Sequence, residues 1–286
     1  MGKFTYAVSN WIYGGESLEA QFARLKKFNY DAIEIMVEEP ETFDLNQAKS
    51  LMKKYSLPCC SICTMMTGAA DDTHRRNLID RNSVVRKRTI AYLSRCLDIG
   101  VQLGAKLTLT VPSGVANVTD GWTHENRELA TAGLTELGDH AKTAGNILLA
   151  IEPINRYENA FLRRADQAME LLNLVKHPRV KMMIDFFHAN IEEDNNGQAI
   201  RLAGKNLIHC HVADSNRKST GRGQTDWAEI MRALKEINFN MTLACEPLPP
   251  SGADVYTTKE MEHSTQQMDL YAEECVNYLR FLERVI

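Results

Sequence analysis

The 286-residue chain has no apolar run near the ~18 residues a membrane-spanning helix needs, so no membrane partner is expected. Its opening, Met1-Gly2-Lys3-Phe4-Thr5-Tyr6, has no signal-peptide core, and Tyr6 stands where a myristoylation signal requires Ser or Thr. A basic excess is also missing. With 33 Lys and Arg against 37 Asp and Glu, the net charge is −4 with the signs interspersed. Neither a nucleic-acid track nor a polybasic lipid patch is expected. The cysteines do not pair off either. Seven thiols scattered through apolar segments read as reduced and buried in a cytoplasmic protein. Cys60 and Cys63 have the C-x-x-C spacing, but LPCCSIC reads as a strand. Residues three apart on a strand point to opposite faces, so the pair is not expected to share a metal. No Pro/Gly/Ser linker, low-complexity tract or close repeat divides the chain, which reads as one domain over residues 1–286.

What is present is a rhythm of short β-leaning runs, each followed by an amphipathic stretch. The runs are FTYAV (4–8), DAIEIMV (31–37), LPCCSIC (57–63), AKLTLTV (105–111), NILLAIE (146–152), RVKMMID (179–185), NLIHCH (206–211) and MTLACE (241–246). Helical patterns follow them, among them 83–103, 124–144, 165–175, 227–237 and 267–285. Eight alternating units predict parallel strands with helical crossovers, and in this length they favour an α/β fold of the (β/α)8 TIM-barrel type. The first turn has no G-x-G-x-x-G, which weighs against an open dinucleotide-binding sheet.

The last four runs end in Glu152, Asp185, His211 and Glu246. In a barrel these ends open on one face, the face that carries active sites. Three carboxylates and an imidazole suit a divalent ion such as Mn²⁺, Mg²⁺ or Co²⁺. Just beyond lie Glu158, His188 and Arg217, read as loop residues at the same mouth, placed to hold substrate oxygens; the plainer alternatives are solvated loop charges for Glu158 and Arg217 and a structural histidine for His188. His209, two before His211, points inward one layer deeper, as a support for the site or as a packed core histidine. Glu34 also points inward by strand parity, as an acid behind the site or in a structural hydrogen bond.

EPINRYE, DFFHANIEE, HCHVADSNR with the following GRG and DW, and the strand ending CEP together resemble the sugar phosphate isomerase/epimerase group with a xylose-isomerase-like barrel. Within that group they look most like the ketose 3-epimerases (D-tagatose, D-psicose and L-ribulose 3-epimerases). The strong matches span residues 151–247; the first half agrees in rhythm only. The resemblance implies that Glu152, Asp185, His211 and Glu246 bind one divalent metal, Mn²⁺ first. Glu158, His188 and Arg217 would hold the substrate. Glu152 and Glu246 would be the catalytic acid/base pair on opposite faces of a ketose, inverting C3 through an enediolate. It also implies a small sugar or polyol substrate and a homodimer or homotetramer.

Departures bear on the substrate. Asp185-Phe186-Phe187-His188 stands where the family often has D-T-F-H, and the segment after Glu246, PLPPSG, is stiffer than usual. Met65 and Met66 fall where the sugar's far end is expected. Lys218 and Arg222, beside Gly221 and Gly223, are either solvated loop charges or a phosphate contact. The same barrel also serves inosose isomerisation or dehydration, aldose–ketose isomerisation and, more distantly, endonuclease IV-like DNA cleavage. The last calls for more histidine ligands and a basic track.

Overall fold

Each β-leaning run becomes a strand in the computed structural model, which describes residues 4–71, 73–248 and 265–286. Residues 1–3 lie outside the described residues, as do residues 249–252, the larger part of the segment after Glu246 that the sequence reading singled out. The strands are β1 (Thr5–Val8), β2 (Ile33–Val37), β3 (Cys59–Thr64), β4 (Leu107–Thr110), β5 (Leu148–Ile151), β6 (Val180–Asp185), β7 (Leu207–Val212) and β8 (Thr242–Cys245). They form one sheet in the order β1-β8-β7-β6-β5-β4-β3-β2, with every neighbouring pair parallel. The remaining seam is spanned by a parallel bridge between Ser9 and Glu34 and by the Ala32 amide donating to the Tyr6 carbonyl at 3.2 Å. The result is a nearly closed, single-domain TIM barrel, as the alternation predicted.

The helices are α1 (Leu18–Lys27), α2 (Leu45–Tyr55), α3 (Ser83–Leu103), α4 (His124–Gly145), α5 (Ala165–Val175), α6 (Phe186–Glu192), α7 (Asn196–Ala203), α8 (Trp227–Glu236) and α9 (Thr265–Val285). Several begin where the sequence offers an acceptor for a free first-turn amide. Ser17, Asp44, Asn82, Thr123 and Asp226 each accept such a bond. α2, α3, α4 and α5 end at left-handed residues, namely Ser56, Gly104, Asn146 and Lys176. Their apolar faces, such as Leu93 and Leu97 of α3 and Leu134 and Leu137 of α4, are fully buried.

Two details differ from the expectation. His188 sits on the seven-residue helix α6, not on a loop. The helix escapes the periodicity reading because it is under two turns long and starts directly at the strand end, where Asp185 itself accepts the Phe187 amide at 2.7 Å. Second, strand alternation fails at Cys60. Cys59 pairs with Ile33 and Ser61 with Glu34, so Cys60 is an extra, bulged residue. It packs with Ala7, Ala32 and Ala244, while Cys63 lines the barrel mouth. The conclusion about the thiols holds nonetheless: all seven are buried and free.

Candidate active site and metal centre

Parallel strands put all their C-terminal ends on one rim, and four chemically matched residues stand there on consecutive strands. Glu152 directly follows β5, Asp185 closes β6, His211 is the penultimate residue of β7, and Glu246 directly follows β8. Ligand atoms of Glu152, Asp185 and His211 all lie within 4.8 Å of one another. Glu246 joins them through Oε2, 3.2 Å from His211 Nδ1, and Glu152 Oε1 lies 3.7 Å from the same nitrogen. Trp11, just after β1, donates its indole N–H to Glu246 Oε2 at 2.8 Å.

Three carboxyl groups thus crowd one imidazole in a buried setting. Burial, partly offset by His211, pushes Glu152 well above the usual carboxyl range, and Asp185 is also raised, mainly by burial. Burial opposes ionisation of Glu246 as well, but His211 and Arg217 outweigh it and hold that carboxyl below its ordinary value. Asp185 Oδ2 is buried with no hydrogen-bond partner among the described residues. An unpartnered buried carboxylate oxygen among two other acids fits an oxygen-seeking divalent cation. The O/O/O/N donor set passes that test.

His211 Nε2, on the opposite edge of the ring, lies 2.8 Å from Glu34 Oε1. His209 Nε2 is 2.8 Å from Glu34 Oε2, off the hydrogen-bond line, and Ser61 Oγ donates to the same oxygen at 2.6 Å. Glu34 and His209 are both fully buried, and the His209 and His211 rings meet edge to face at 5.2 Å.

The three flanking residues gather on one side of the pocket. Asn155 Nδ2 reaches His188 Nδ1 at 2.6 Å and donates to Glu158 Oε1 at 3.0 Å. An acceptor role for Nδ1 places the His188 proton on Nε2, which faces Asp185 Oδ2 at 3.4 Å. Burial pushes the His188 pKa down to about 4, so its ring is neutral at physiological pH. The Arg217 guanidinium lies over Phe187 at 4.6 Å and over Trp11 at 5.5 Å, with Nη1 3.6 Å from Glu158 Oε1. The pocket holds about 510 Å³ of space between atoms, counting its open mouth. Its other wall is apolar: Met36, Met65, Met66, Val111, Val115 and Ile154. Both methionines singled out in the sequence thus line the pocket. Arg222 is paired with Glu274 on α9 at 2.6 Å and 2.5 Å, as a surface ion pair.

Sequence reasoning missed Trp11, Asn155 and Asp214. Trp11 contacts a residue 235 positions away, and no local signal announces that. Asn155 lies inside EPINRYE and had a signal in its position. Asp214 is buried and accepts four donors: the Ser215 amide at 2.8 Å, the Thr225 amide at 3.2 Å, the Gly221 amide at 2.7 Å and the Trp227 indole at 3.0 Å. It ties the whole β7–α8 loop that presents Arg217. An acid followed by a Ser/Asn/Gly-rich turn was the available signal.

A barrel with this rim of three acids and a histidine defines a class, and the chain belongs to the xylose isomerase-like TIM barrel family, whose model matches residues 22–268. Its relatives narrow the class. It is 29% identical over 237 residues to D-psicose 3-epimerase of Agrobacterium fabrum, covering 81% of this chain and 80% of that protein. It is 38% identical over 128 residues to D-psicose 3-epimerase of Ruminiclostridium cellulolyticum, a match that spans 45% of this chain and 43% of the relative. In fold it superposes on the crystal structure of D-allulose 3-epimerase from Methylomonas sp. with a TM-score of 0.86, at 21% identity and 99% coverage of both chains. These relatives are ketose 3-epimerases, and the chain is an enzyme of the isomerase class. No helix among the described residues is long and apolar enough to cross a membrane.

Proposed function

We propose that this enzyme is a metal-dependent ketose 3-epimerase, with Glu152, Asp185, His211 and Glu246 holding one divalent ion, Mn²⁺ first. The observation that carries the reading is the placement of two glutamates just past the ends of β5 and β8, with the strands bearing Asp185 and His211 between them. On this reading Glu152 and Glu246 would reach a substrate lying over the rim from opposite sides. A C–H beside a carbonyl is a weak acid, and inversion needs one group to remove the proton from one face and another to return a proton to the other face. One carboxylate alone would restore the original configuration. A bound divalent ion would supply positive charge where the enediolate oxygens develop. Glu158, His188 and Arg217 would hold the sugar's hydroxyl oxygens, with the neutral His188 donating through Nε2. The apolar wall with its methionines would face the sugar's far end and exclude water from the pocket. The reading also carries a cytoplasmic location and a homodimer or homotetramer, which sizing by light scattering would check.

The test is a panel of free ketoses with Mn²⁺ in D₂O, followed by NMR. Deuterium at C3 together with the C3 epimer is expected. Label at C1 without inversion would make the enzyme a 1,2-isomerase. Glu152→Gln and Glu246→Gln should each lower turnover by about two to four orders of magnitude. Full epimerisation by Glu246→Gln with the metal still bound would end the two-base assignment. A second reading comes from 3-dehydro-D-guloside 4-epimerase of Escherichia coli, 25% identical over 80% of this chain. The same pair of glutamates would invert the carbon on the far side of a C3 carbonyl, and the label would then appear at C4.

A further inference from the structure

The buried group formed by Glu34, His209 and His211 has ligand atoms close enough together to hold an ion of its own. Its contacts argue otherwise. Glu34 Oε1 faces His211 Nε2 at 2.8 Å. Glu34 Oε2 already accepts from Ser61 Oγ at 2.6 Å and stands 2.8 Å from His209 Nε2. Both carboxylate oxygens are committed, and Glu34 and His209 have no exposure to solvent. The imidazole of His211 is shared between two acid sets, on opposite edges of the ring. Nδ1 faces Glu246 and Glu152 at 3.2 and 3.7 Å, and Nε2 faces Glu34.

We propose that Glu34 is the positioning residue of the metal centre: it takes the Nε2 proton of His211 in a hydrogen bond, so that Nδ1 is the nitrogen left with a free electron pair toward Glu152, Asp185 and Glu246. This rests on the metal-dependent reading above. A neutral imidazole has one donor and one acceptor nitrogen, and the partner of one decides the role of the other. Outer carboxylates of this kind fix the tautomer and ring orientation of a metal-binding histidine and raise its basicity. His209 then has its own task. It presents a second imidazole to Glu34 Oε2, and its ring packs against His211 at 5.2 Å, which limits rotation of the ligand ring. The His-x-His pair is thus one ligand and one brace, joined through an acid 175 and 177 positions earlier in the chain (209 − 34 and 211 − 34).

Two measurements test this. In the wild-type protein loaded with diamagnetic Mg²⁺, the ¹⁵N–¹H spectrum of the histidine rings should show His211 protonated on Nε2. A proton on Nδ1 would overturn the proposal, and this arm needs no variant. Mn²⁺ binding, followed by electron paramagnetic resonance of the free ion, should be about 10- to 100-fold weaker in Glu34→Gln than in wild type. Circular dichroism of the metal-free variant should report a folded barrel. An unchanged Mn²⁺ affinity in folded Glu34→Gln would overturn the proposal, since a purely structural Glu34 would alter only the melting temperature. His211→Ala separates the two readings. If it binds Mn²⁺ as wild type does, or if wild type binds none, the metal reading itself falls and takes the positioning role with it.

Discussion

Arg217 shows how much one residue can depend on its surroundings. Its backbone is in the left-handed region, at φ +58°, and its guanidinium lies between the rings of Phe187 and Trp11 with Glu158 nearby. A planar cation held over aromatic faces is not replaced by a flexible ammonium. Arg217→Lys is therefore expected to raise KM for the ketose by roughly tenfold, the scale of one hydrogen bond to a charged group. Steady-state kinetics on the accepted sugar checks this; an unchanged KM would remove Arg217 from the substrate site. Phe187, which keeps the aromatic of the usual D-T-F-H spelling, supplies the nearer of the two faces. The departure lies one residue earlier, at Phe186, whose ring meets Trp227 edge to face at 5.8 Å; the use of Phe187 as a platform for Arg217 is not visible in the sequence.

Among the elements, the β7–α8 loop is built around a single acceptor. Asp214 gathers four donors and the loop closes on β8, where the Leu248 amide donates to the Arg217 carbonyl at 2.7 Å. Burial opposes the charge on Asp214, but its donors, the Trp227 indole first among them, outweigh burial and hold the carboxyl below its ordinary value. A group whose folded pKa is depressed stabilises above its unfolded pKa and loses that contribution as pH falls through the folded value. The loss thus belongs to the acid side, below the ordinary aspartate range. Asp214→Asn, which places an N–H among N–H donors, should cost about 3 kcal/mol at neutral pH. It should also flatten the acid limb of the stability profile. Urea unfolding at several pH values would show both effects; an unchanged acid limb would mean that Asp214 does not stay ionised in the fold. α6 shows what periodicity can miss. Seven residues carry too little pattern, and their first-turn amide is capped by Asp185, which the sequence presents only as a strand end.

At the scale of the molecule, eight strands bring groups from positions 152 to 246 into one crowded rim of acids. Three carboxyl groups around one imidazole repel each other when ionised, so a cation bound only to the folded state should stabilise it by mass action. At a Mn²⁺ concentration ~100 times Kd the gain is about 2.7 kcal/mol, which for a domain of this size is roughly 5 °C in Tm. Differential scanning fluorimetry with Mn²⁺ and then with excess EDTA would register it. A Tm indifferent to both would count against a metal at these four residues. The seam between β1 and β2 belongs to this scale too: a bridge at Ser9 and Glu34 and the Asp31 and Ala32 amides, both donating to the Tyr6 carbonyl, nearly close the ring, and the bridge includes Glu34, which faces His211 Nε2.

The sequence by itself determined the eightfold alternation, the strand ends that carry Glu152, Asp185, His211 and Glu246, and the inward parity of Glu34, His209 and His211. Hydrophobic period and strand parity are local properties, and each is written within a few residues. Only the tertiary structure decided which nitrogen of His211 faces the acids, that Glu34 meets both histidines, that Trp11 holds Glu246, and that Cys60 bulges inward. Each of these depends on how neighbouring strands are staggered and how the barrel closes. Stagger is a relation between segments far apart in the chain, and no single run of residues records it.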